Sequence, residues 1–216
     1  VIPWGARGTE IKMYATHYYN MRRVVLLMML LPLVVSCGKE SKEEASEQTY
    51  AMLEQVAELS AGGNKQAALE LADSALQMHP ADSVRCWLMS EKTVALVDMG
   101  RMAEAVGVAH EAYELARKLQ DVESMLNLCG SMGVAYRRQG KVDSALVQYK
   151  KGIELALKEH NAEYEIYLNN CVTVLYSESN RFAEAIQYAE NTERAAQEAG
   201  DTIERLSARA NIGGVY

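Results

Sequence analysis

The chain has 216 residues, 49% hydrophobic but only 7% aromatic, with three prolines and a formal net charge of −7. Four basic residues and one acidic residue precede Cys37, which leaves 18 basic against 28 acidic, a net of −10, from Cys37 onward. A surface of that sign repels phosphate backbones and argues against a nucleic-acid partner.

The pattern changes sharply along the chain. Residues 1–20 show no helical period, and the reading places them outside the mature protein, with translation starting at Met21 or Val1 reflecting an upstream start or a fragment. Met21-Arg22-Arg23 is followed by an apolar run of twelve residues, Val24 to Val35, and then by Ser36-Cys37. A positive start, a short apolar stretch and a small residue before the cut describe a secretory signal peptide over residues 21–36. Twelve residues fall short of the roughly 20 needed to cross a bilayer as a helix. The ending Val34-Val35-Ser36-Cys37 resembles the bacterial lipobox. That resemblance implies cleavage before Cys37, a lipid on its sulfur, and anchoring of the protein in the bacterial cell envelope. Several acyl chains hold a protein on a membrane where one does so only marginally. Gly38, standing where an aspartate would signal retention, points to the outer membrane more than the inner. Residues 37–46 are polar and charged, and are expected to form a flexible tether.

From residue 47 onward the chain repeats itself. Gly63, Gly100, Gly140 and Asn180 stand 37, 40 and 40 residues apart, and each is followed five residues later by an alanine: Ala68, Ala105, Ala145 and Ala185. Twelve after each turn residue come Ala75, Ala112, Gly152 and Thr192; seven before come Val56, Thr93, Gly133 and Thr173. Two helices cross closely only where neither carries bulk, so Gly133 is expected to meet Ala145 at such a crossing, with Tyr136 and Tyr149 filling the layer between. On the second helix of that unit Val142, Ala145, Leu146, Tyr149, Ile153 and Ala156 form one apolar stripe of period 3.6. A unit of this kind cannot bury its own apolar face and must stack on its neighbours. The expected units are 47–81, 82–121, 122–161 and 162–200, with an incomplete fifth at 201–216. Asp201 and Glu204 fit a capping box, and Gly213 and Tyr216 repeat Gly133 and Tyr136, so the chain is expected to stop inside a first helix, as a truncated sequence would.

Gly133, Tyr136, Gly140, Ala145, Tyr149 and Gly152 resemble, in order, the signature of the tetratricopeptide repeat family. Pro80 stands where that family often has a terminal proline. Leu96 and Ala109 replace the aromatic places in the second unit, and Asn180 replaces the turn glycine in the fourth. The period is longer than the family's usual one and predicts helices of roughly 17–18 residues. The resemblance implies an all-α, right-handed superhelical solenoid of antiparallel helix pairs.

Chemistry finds little footing. Cys86, Cys129 and Cys171 lie 43 and 42 residues apart with no Cys-x-x-Cys spacing, and read as small buried residues, not as metal ligands. His79, His110 and His160 have no partner at i+4, and no phosphate loop or nucleophile elbow is present. No enzyme activity, cofactor or metal is expected. The resemblance implies instead a groove lined by the first helix of each unit. Carried over residue by residue, its places include Trp87, Ser90, Val94, Val97 and Asp98; Asn127, Gly130, Val134, Arg137 and Arg138; and Tyr167, Asn170, Val174, Ser177 and Glu178. Arg137 and Arg138 form a basic spot flanked by Asn127 and Asn170 and by Trp87 and Tyr167. Arginine forks bind carboxylates, and aromatics supply anchor area. The family's carboxylate-clamp pattern of Lys and Asn is not matched. The function expected is an envelope-anchored lipoprotein that scaffolds a protein or peptide ligand. The alternative is the sensor segment of a longer signalling protein, a histidine kinase or transcriptional regulator.

Overall fold

The computed structural model describes residues 40–78 and 81–213. Residues 1–20, the signal peptide, Cys37, Pro80 and Tyr216 therefore lie outside the described part. The chain divides into two compact units. The first contains α1 (Glu40–Ala61) packed on α2 (Lys65–Gln77). The helix α1 begins at Glu40, inside the stretch expected to be a flexible tether.

The second unit contains α3 (Asp82–Asp98), α4 (Met102–Leu119), α5 (Val122–Arg138), α6 (Val142–Lys158), α7 (Ala162–Glu178), α8 (Phe182–Glu198) and α9 (Thr202–Gly213). It is an all-helical solenoid of paired helices, and α3 to α8 are each 17 or 18 residues long.

Turn chemistry sets the pairing. Within each pair the chain reverses at a residue in the left-handed region: Gly100 at φ 80°, Gly140 at 72° and Asn180 at 56°. The next backbone N–H then closes the helix end, as Lys141 N donates to Tyr136 O at 3.0 Å and Arg181 N to Tyr176 O at 2.8 Å. Between pairs the same conformation falls on Gln120, His160 and Gly200. The residue after each of these caps the following helix: Asp121 accepts from Ser124 N at 3.0 Å, Asn161 from Tyr164 N at 3.1 Å, and Asp201 from Glu204 N at 3.0 Å.

The twelve small or β-branched positions of the repeat are all buried. Their partners differ in one respect from the expectation. A methyl group added to Gly133 would overlap the Tyr149 ring, so the crossing of α5 and α6 is glycine against tyrosine and not Gly133 against Ala145. Tyr149 is fully buried, in one cluster with Leu126, Ala145, Leu168 and Val172, while Tyr136 packs half-buried at its margin. Gly152 does for the next interface what Gly133 does here: a Cβ on it would stand 2.7 Å from Leu168 Cδ1 and 3.1 Å from Cys129 Cβ.

First helices also touch across pairs, α3 against α5 and α5 against α7, whereas second helices make no comparable contact among the described residues. A stack whose first helices are the closer set curves toward them. That puts α3, α5 and α7 on the inner side of the second unit.

Candidate inner-face site

Each inner helix has ten or so positions committed to the core, which leaves one narrow stripe toward solvent. On α3 the stripe is Trp87, Glu91, Val94 and Asp98; on α5 it is Asn127, Ser131, Val134 and Arg138; on α7 it is Tyr167, Cys171, Val174 and Glu178. The steps are four, three and four residues, as a helix with 3.6 residues per turn requires. Because corresponding positions stand 40 residues apart, the stripes align as rows. One is Trp87, Asn127 and Tyr167. Another is Val94, Val134 and Val174, all half-buried. A third is Asp98, Arg138 and Glu178, all exposed.

Six of the seven candidate contact residues stand in these rows or directly beside them, and the seventh, Arg137, leans into the next helix. Three of the wider set do not line the face. Ser90, Val97 and Gly130 are buried, because the stripe steps from Trp87 by four residues and these fall on its inward side. Cys171 moves the other way. Expected in the core with Cys86 and Cys129, it is half-buried on the face itself.

The polar groups here bond to neighbouring units. Arg137 Nη1 donates to Glu178 Oε1 at 2.6 Å, and Arg138 Nη1 to the Val97 carbonyl at 2.7 Å; each bond spans 41 residues, one unit forward and one unit back. Asn170 Nδ2 donates to Glu204 on α9 at 3.3 Å. Burial works against the charge on Arg137, but its bond to Glu178 and that carboxylate's charge outweigh burial and hold the guanidinium above its usual value. The arginine pair is thus a staple between units, with its donors already engaged, rather than a free basic spot.

Tyr167 is 39% exposed, yet its hydroxyl turns inward across Gly130, where an added Cβ would meet Cε1 at 2.8 Å and the oxygen at 3.3 Å. Tyr164 supports it edge-on, ring centroids 6.4 Å apart. The phenol is raised well above its ordinary value, first by the neighbouring charge of Cys171 and then by burial. Burial in turn pushes the Cys171 thiol up to about 11, so it stays protonated near neutrality. The Tyr149 oxygen lies in the same cluster, is buried, and has no hydrogen-bond partner. Among the described residues no group of His, Cys, Asp and Glu is arranged to hold a metal ion. No described helix is long and apolar enough to cross a membrane.

Stacked pairs of similar length, cross-contacts between first helices only, and glycines that admit tyrosine rings decide the architecture. The fold is TPR-like. It is similar to aspartyl phosphate phosphatase F from Bacillus subtilis, with a TM-score of 0.62 at 15% identity over 84% of this chain and 50% of that one. It is also similar to the apo form of RapI, with a TM-score of 0.66 at 11% identity over 82% of this chain and 52% of that one. The kinesin light chain TPR-like repeats of Podosopora anserina give 0.57 at 16% identity, covering 78% of this chain and 94% of theirs. The chain spans about half the length of the first two. No family model matches it, and no curated protein does. At these identities the likeness concerns the fold. The inner-face residues are this chain's own.

Proposed function

We infer that this chain is a protein- or peptide-binding scaffold held at a bacterial cell envelope through a lipid on Cys37. The observation that supports binding is the register of the inner face. Three successive helices present aligned rows of half-exposed aromatic, amide and valine side chains on the side toward which the stack curves. A partner lying along that face meets the same kind of group once per unit. Trp87 and Tyr167 supply anchor area, Asn127 and Asn170 supply amide contacts, and Arg137, Arg138 and Glu178 keep the units in register beneath the ligand.

Anchoring rests on the lipobox-like sequence ending at Cys37. The reading has two tests. A photo-crosslinking residue at position 134 should give discrete protein adducts in envelope preparations, whereas one at Val147, which is 61% exposed on the outer helix α6, should not. Equal adduct patterns from both positions would place binding elsewhere. Labelled palmitate should enter the wild type and not Cys37→Ser; equal incorporation removes the anchor from the proposal.

A further inference from the structure

The composition and spacing of the inner face narrow the ligand, on the footing that this face is the binding surface. Val94, Val134 and Val174 form an aliphatic row through its middle, each half-buried and each contributed by a different inner helix. On one side of the row the charged groups are occupied within the protein. Arg138 is bound to the Val97 carbonyl, Arg137 to Glu178, and Asp98 also has its interaction. An acidic ligand would have to break one of these bonds to gain one of its own, so the exchange yields little. An aliphatic ligand breaks nothing.

Spacing sets the ligand's period. Helices packed as closely as α3, α5 and α7 have axes about 8–10 Å apart, and the valines repeat at that interval. A β-strand places side chains on one face every second residue, about 6.6 Å apart, and cannot match it. A polyproline-II segment rises about 3.1 Å per residue with three residues per turn, so its every third side chain faces the same way at about 9.3 Å.

We propose that the valine row on α3, α5 and α7 receives an extended, uncharged peptide segment in polyproline-II conformation, with an aliphatic side chain at every third position. The flanking Trp87–Asn127–Tyr167 row lies beside that segment and offers aromatic faces and an amide to its backbone. The acidic character of the chain as a whole further disfavours an anionic segment.

Fluorescence anisotropy on the full, detergent-solubilised chain tests this. Three labelled peptides of about a dozen residues on a proline–glutamine background are compared. One carries leucine at every third position, one the same leucines at every second position, and one glutamate in place of each leucine. The every-third peptide should bind at least about tenfold more tightly than either other. Its affinity should barely change between about 0.05 and 0.5 M salt. Val134→Asp should weaken it by about tenfold or more, and Val147→Asp should leave it unchanged. Val134 also packs against the core cluster. Val94→Asp and Val174→Asp repeat the test on other helices, with helicity checked for each.

Equal binding of the every-second peptide overturns the period. Tighter, salt-sensitive binding of the glutamate peptide overturns the aliphatic class, and if Val134→Asp still weakens that binding the inner face remains the surface. Binding indifferent to all three aspartate variants overturns the surface as well. Failure of the every-third peptide to bind by about 1 mM overturns the proposal, while the crosslink at position 134 still reports on the face.

Discussion

Replacing Gly133 with alanine isolates the close approach that sets the α5–α6 crossing. In most helix interiors this change is favourable by about 0.8–1 kcal/mol, because glycine is the poorer helix former. Here the new methyl falls on the Tyr149 ring, within 2.5 Å of Cδ1 and 2.7 Å of Cζ. That ring is fully buried, so it has no solvent-side position to retreat to. Overpacking a filled core costs about 1–3 kcal/mol, and the net expectation is a loss of about 1–2 kcal/mol. Gly107 is the matched control. It sits inside α4 with nothing within 4 Å of an added Cβ, and alanine there should gain about 0.5–1 kcal/mol. Thermal melts followed by circular dichroism should therefore move in opposite directions, by about 2–4 °C per kcal/mol for a chain of this size. A stack can melt in parts, so amide exchange along α5 and α6 should show where the loss lies. If Gly133→Ala raises the midpoint as Gly107→Ala does, the crossing is not where this structure puts it.

Ala145→Leu, at a fully buried position in the same cluster, should destabilise by about 1–3 kcal/mol in urea melts; a change within about 0.5 kcal/mol would contradict the repeat register. His160 holds φ at 53° between α6 and α7, so His160→Gly should stabilise by about 1 kcal/mol, and a loss would mean that the side chain contributes a contact of its own. Burial pushes the thiols of Cys129 and Cys171 up to about 11, against about 8.5 in an unfolded chain. The folded state then binds the extra protons, so this contribution is complete below about pH 8.5 and declines as pH rises toward 11. Urea midpoints should fall across that window and fall less in Cys129→Ala/Cys171→Ala; a midpoint that is flat or rises would refute the assignment.

Much of the unit boundary pattern is local, and so was legible. A glycine or asparagine in the left-handed region ends a helix through bonds to its own last turn, and Gly100, Gly140 and Asn180 do this where the spacing placed them. The small residues at fixed offsets were legible for a related reason, since a helix crossing removes side-chain volume from a position whatever lies opposite. Gln120 and His160 carried no such signal. Their left-handed conformation is imposed by the stacking of one pair on the next, not chosen by the residue.

By itself the sequence determined the all-helical class, the forty-residue period and the side of each helix that must be buried, because these depend on periodicity and turn chemistry within one unit. Only the tertiary structure decided what stands opposite. It set Tyr149 against Gly133 and Tyr167 against Gly130, and it moved Ser90, Val97 and Gly130 inward and Cys171 outward. It also gave Arg137 and Arg138 to Glu178 and Val97, residues 41 positions away in the sequence. Two adjacent arginines read as free charge until the neighbouring helices are placed, and the contacts that neutralise them exist only once three units stack.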